Sequence, residues 1–147
     1  MYDLWKMDAL NELQAYNARR KALEIIPVRI AELEDAVIRI RSSTSDGSPV
    51  KGGGSGREDA LLNNIVARDK LKRNLADTKE AVKVVECALN TLTDMQRRIL
   101  QVRYIDQEPC AVEKLSREFN MDPRRVRNRQ SDALWLFATA LCGIQKQ

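Results

Sequence analysis

Residues 23–40 read LEIIPVRIAELEDAVIRI, and their apolar positions decide the fold class. Leu23, Ile26, Ile30, Leu33, Val37 and Ile40 recur at intervals of three and four, a spacing that places them on one stripe of a helix. Residues 71–92, LKRNLADTKEAVKVVECALNTL, repeat the pattern through Leu71, Leu75, Thr78, Val82, Val85, Leu89 and Leu92. Two narrow stripes on one chain predict a long, coiled-coil-like helical hairpin. Such a seam closes either within the chain or against a second copy, so a homo-oligomer is open from the sequence.

Outward from the first stripe, Leu4, Leu10, Leu13 and Tyr16 form an offset stripe on a helix expected from about residue 3 to residue 41. Pro27 lacks an N–H and crowds the preceding turn, which predicts a kink or a helix boundary there. Between the stripes, SSTSDGSPVKGGGSG (residues 42–56) reads as a flexible connector. Six of the ten glycines and prolines lie between Gly47 and Gly56. Everything else lacks turn punctuation, so the class is all-α.

The 147 residues contain no histidine. That removes the commonest general base and the commonest metal ligand, and no enzymatic activity, metal or cofactor is expected. Paired acids such as Glu34-Asp35 and Glu58-Asp59 are consecutive and splay around a helix. GGGSG lacks the Lys-Ser/Thr of a phosphate loop. Cys87, Cys110 and Cys142 have no metal-ligand spacing and suit packing in a reducing cytoplasm. Trp5 and Trp135 read as packing residues. No apolar run reaches the roughly 18–20 residues of a membrane span, and the N-terminus does not read as a signal peptide. A cytoplasmic protein is expected.

The net charge of +4 is unevenly placed: residues 93–147 hold ten bases and seven acids, and residues 121–131 alone hold four arginines and one aspartate. In this C-terminal part Thr93 and Gln96 fit a capping box that opens a helix carrying Met95, Ile99 and Val102. Asp106 to Pro109 ends it. A short helix is expected over residues 111–119, with Val112, Leu115 and Phe119 inward. Asn120 and Met121 turn the chain, Asp122 suits an N-cap, and Pro123 suits the first helical position. The last helix carries Val126, Ala133, Leu134, Phe137 and Leu141 inward and ends at Gly143. The chain thus divides into a helical hairpin, 1–92, and a second domain, 93–147.

A short helix, a tight turn and a longer helix with a basic start predict a helix-turn-helix for double-stranded DNA. Arg124, Arg127, Asn128 and Ser131 share the face away from Val126 and Ala133. Arginine pairs bidentately with guanine and asparagine with adenine. Arg125 and Arg129 are expected about 100° to either side of that face, where they suit phosphates.

Residues 92–142, LTDMQRRILQVRYIDQEPCAVEKLSREFNMDPRRVRNRQSDALWLFATALC, resemble region 4 of sigma-70-family factors. The likeness lies in the LTDMQRRIL opening with its R-Y, in VEKLSREF and in VRNRQSDAL, and covers about a third of the chain. It implies contact with promoter DNA and with bacterial RNA polymerase. Ser116 stands where such motifs usually have alanine, and Asn120 where the turn usually has glycine. The first 90 residues lack the aromatic cluster of sigma region 2, so a complete sigma factor is not implied. The arrangement is similar to phage and prophage regulators near the RinA and ArpU families of late-gene activators, and residues 48–62, SPVKGGGSGREDALL, resemble their connectors. The function this implies is sequence-specific regulation of phage or prophage transcription. The alternative is a small terminase-like packaging protein that binds genome ends, which a ring of many subunits would favour.

Overall fold

A computed structural model describes residues 4–42 and 54–143 of the chain. Among these the secondary structure is helical throughout, and the protein is all-α. Helix α1 spans Leu4–Ser42 and α2 spans Gly54–Asn90. Helix α3, Asp94–Leu100, runs on into a π-helical turn at Gln101–Ile105. Helices α4, Ala111–Phe119, and α5, Pro123–Cys142, follow. Most of the expected connector, residues 43–53, lies outside the described residues.

The chain forms two compact units, Lys21–Lys79 and a second one of Met1–Arg20 with Glu80–Gln147. The boundary expected at residues 92 and 93 is not where they divide. The start of α1 and the end of α2 belong with α3–α5, because the long-range contacts are there. Trp5 meets Trp135 edge-to-face with ring centroids 5.0 Å apart, and the Asn17 amide donates to the Ile105 carbonyl at 3.1 Å. The Tyr16 hydroxyl donates to Glu86 at 2.8 Å, and burial, then Glu86, raises the Tyr16 pKa.

In the unit Lys21–Lys79, α1 and α2 run antiparallel. Arg57 donates to the Ile40 carbonyl at 2.6 Å, and Lys72 pairs with Glu34 at 3.2 Å. Within this unit the stripe of residues 23–40 and the part of the second stripe at residues 71–78 therefore meet in one chain. Ile30 and Val37 are buried, while Leu23, Ile26, Leu33, Ile40, Leu71, Leu75 and Thr78 are half-buried. Thr78 satisfies its hydroxyl on the Asn74 carbonyl at 2.6 Å, so a polar side chain sits in the seam without an orphaned group. Helix α1 continues through Pro27. The proline costs one backbone bond, and the rest of a long helix outweighs it.

Among the described residues, eighteen of the twenty buried apolar side chains belong to the other unit. Ile99, Val102, Ala111, Leu115 and Val126 form a core cluster, flanked by Met95, Val112, Phe119 and Met121. Leu134, Phe137 and Ala138 of α5 are buried as well, while Leu141 is half-buried. Two expectations fail. Leu4 is 71% exposed, because nine residues place it about 180° from the buried Leu13. All three cysteines are exposed free thiols instead of packing groups. Cys87 sits two residues, about 200°, from the seam position Val85, and Cys110 and Cys142 lie at helix ends.

Candidate nucleic-acid interface

Local chemistry sets the boundaries here. Thr93 accepts from the Gln96 N–H at 3.2 Å while the Gln96 side chain accepts from the Thr93 N–H at 3.0 Å, a complete capping box. Asp122 accepts from the Arg124 N–H at 2.9 Å with Pro123 in the first turn of α5. Asn120 ends α4 in the left-handed region at φ 53°, which asparagine tolerates better than most residues. Ser116 donates its hydroxyl to the Met121 carbonyl, and the Met121 N–H returns to the Ser116 carbonyl at 2.9 Å. Ser116 thus ties the turn. Ser116→Ala should cost roughly 1 kcal/mol, the net worth of a hydrogen bond, in denaturant unfolding of the chain.

Three residues, 120–122, separate α4 from α5, and the two helices share the core through Leu115 and Val126. That burial turns the opposite side of α5 outward. Arg124, Arg125, Arg127, Asn128, Arg129 and Ser131 are all exposed. None of the four guanidiniums is ion-paired with a described carboxylate. Elsewhere in the region Arg97 pairs with Asp94, Arg98 with Glu118 and Lys114 with Glu108 at 3.9 Å, while Arg103 and Arg117 stand singly without a described carboxylate. Among the described residues of this region, the first half of α5 is where four uncompensated positive charges stand close together in sequence.

At about 100° per residue, Arg124, Arg127, Asn128 and Ser131 fall within about 100° of arc. Ser131 donates its hydroxyl to the Arg127 carbonyl at 3.2 Å, leaving its oxygen lone pairs outward as acceptors. Arg125 and Arg129 differ from expectation. They stand on the same flank, about 110° and 150° from the centre of that face, because four residues advance a helix by only about 40° beyond a full turn.

Contacts that single-helix patterns do not show hold this surface. The Gln130 amide donates to the Tyr104 hydroxyl at 2.7 Å, joining α5 to the π-helical turn. Burial raises the Tyr104 pKa against the opposing effects of Arg103 and the Gln130 bond; the phenol stays neutral near pH 7, so this bond does not titrate there. The π turn itself is closed by the Asp106 N–H on the Gln101 carbonyl at 2.8 Å and by Gln101 on Asp106 at 2.9 Å. Arg98 reaches both Glu118 oxygens at 3.1 Å, bracing α3 against α4. Half-exposed on both sides, that pair contributes at most about 1 kcal/mol. No protein-family model matches the chain, nor does any curated protein or solved structure.

Among the described residues no group of three or more Cys, Asp or Glu is arranged to hold a metal ion, and no helix is long and apolar enough to cross a membrane.

Proposed function

We propose that the chain binds double-stranded DNA through α4, its turn and the first half of α5, and that it regulates phage or prophage transcription at promoters together with the host RNA polymerase. The observation that carries this reading is the set of unpaired, exposed arginines on the helix that follows the turn. Guanidiniums left without carboxylates offer their donors to phosphates and guanine edges. Arg124, Arg127, Asn128 and Ser131 read bases, while Arg125 and Arg129 hold the backbone of one strand. The promoter and polymerase part rests on the likeness of residues 92–142 to sigma region 4.

Selection of bound fragments from a random duplex library and from a host genome tests this. A sharp motif lying near promoters is the expected result. Enrichment at phage genome ends would transfer the protein to packaging, and absence of any enrichment would remove DNA from its function.

A further inference from the structure

Helix α5 is held unevenly along its length. Ala133, Leu134, Phe137 and Ala138 bury its second half, whereas among residues 123–132 only Val126 is buried and only Gln130 is half-buried. The first half, which carries the arginines, is thus an arm joined to the body beneath it by two of its own side chains. From Ala133 back to Arg124 the arm is about 14 Å long, so a tilt of about 10° displaces Arg124 by about 2 Å. Hydrogen-bond lengths vary by only a few tenths of an ångström, and such a swing would break a bidentate contact. Val126 limits how close the arm lies to the core, but apolar attraction is non-directional and resists a sideways swing weakly. Gln130 supplies a directional contact. It stands about 40° from Val126, on the side opposite Arg129, and its amide donates to the Tyr104 hydroxyl at 2.7 Å.

Tyr104 is itself well mounted. It lies between the buried Val102 and Ile105 in the π-helical turn. The residue four beyond Ile105 is Pro109, which has no N–H to offer, and the Ile105 carbonyl takes the Asn17 amide of α1 at 3.1 Å instead. The Val102 carbonyl accepts from the Glu108 N–H at 3.0 Å. The backbone is therefore fastened on both sides of the phenol. Stability does not account for the pair. The Gln130 side-chain oxygen is buried without a hydrogen-bond partner among the described residues, and such an acceptor commonly costs at least as much as a neutral hydrogen bond contributes.

We propose that the Tyr104–Gln130 hydrogen bond positions the arginine-bearing arm of α5 and so sets how sharply the chain tells one DNA sequence from another. This rests on the DNA interface proposed above. Tyr104 and Gln130 are positioning residues: they hold Arg124, Arg127 and Asn128 in register with base edges and do not touch DNA themselves.

The test is the affinity of the full chain for its selected site and for a scrambled duplex, measured by fluorescence anisotropy, with urea unfolding of each variant alongside. Tyr104→Phe and Gln130→Met remove the bond with little change of shape. Each lowers the preference for the selected site about tenfold, the order of one lost bidentate base contact, and leaves affinity for the scrambled duplex unchanged. The double variant loses no more than either single one, because both remove the same bond. The unfolding midpoint stays where it is or rises. Leu136→Ala, at an exposed position on the same helix, keeps the preference. If both single variants keep it too, or if their losses add, the proposal is overturned while DNA binding stands. Equal losses on the two duplexes, or a loss that follows a lowered midpoint, reveal a merely structural role and overturn it as well. A wild-type chain that binds no duplex, or binds every sequence alike, removes the proposed function and this inference with it.

Discussion

Phe137→Ala is expected to lower the unfolding free energy of the chain by about 3–5 kcal/mol, the range for emptying a buried aromatic site. Phe137 is fully buried and is the largest of the fully buried side chains. Its loss removes apolar burial and leaves a cavity that helices on a shared core close only in part. The neighbouring Leu136 is the internal control. It is 42% exposed, so Leu136→Ala should cost well under half as much in the same urea titration. Equal losses for the two variants would show that α5 is rotated from the position described. Because α5 also carries the exposed arginines, Phe137→Ala should weaken DNA binding at temperatures where part of the population is unfolded, and rescue on cooling would identify stability as the cause.

Arg127→Ala and Arg129→Ala should part company on DNA. Arg127 belongs to the outward face of α5, and its loss should cost roughly 1–3 kcal/mol on the preferred site while relaxing specificity there. Arg129 lies on the flank, about 60° from the buried Val126. Its loss should weaken cognate and scrambled duplexes alike and flatten the salt dependence by about one unit of slope. Affinity measured on both duplexes across a salt series separates the outcomes. If the variants lose equal affinity on both duplexes, Arg127 does not read bases. If neither loses any, the binding surface is elsewhere. Arg125 shares the flank of Arg129, so Arg125→Ala should resemble Arg129→Ala, a pairing that follows from both arginines standing on one side.

The candidate site was legible wherever the deciding interactions lie within a few residues. Asp122 before Pro123, Thr93 with Gln96, and Asn120 at a left-handed position each specify a helix end through atoms at most four residues away. The burial of Val126, Ala133, Leu134 and Phe137 follows from helical period alone, and so does the exposure of Arg124, Arg127 and Asn128. For Leu4 and for the flank shared by Arg125 and Arg129, which differ from expectation, the same 100° step gives the observed side.

The sequence by itself thus determined an all-α chain, the ends of α3, α4 and α5, and which side of α5 carries its arginines outward. Tertiary structure alone decided that the stripes of residues 23–40 and 71–78 meet within one chain and that Gln130 reaches Tyr104. It also decided that the start of α1 and the end of α2 belong with α3–α5. The π-helical turn belongs with these, since the Ile105 carbonyl takes its partner from Asn17, 88 residues away. The physical reason is one of range. Caps and helical faces are set by neighbours along the chain, whose positions any helix fixes in advance. A seam, a ring pair such as Trp5 and Trp135, or a cross-helix hydrogen bond exists only after loops have closed, and its free energy depends on which distant groups then stand together.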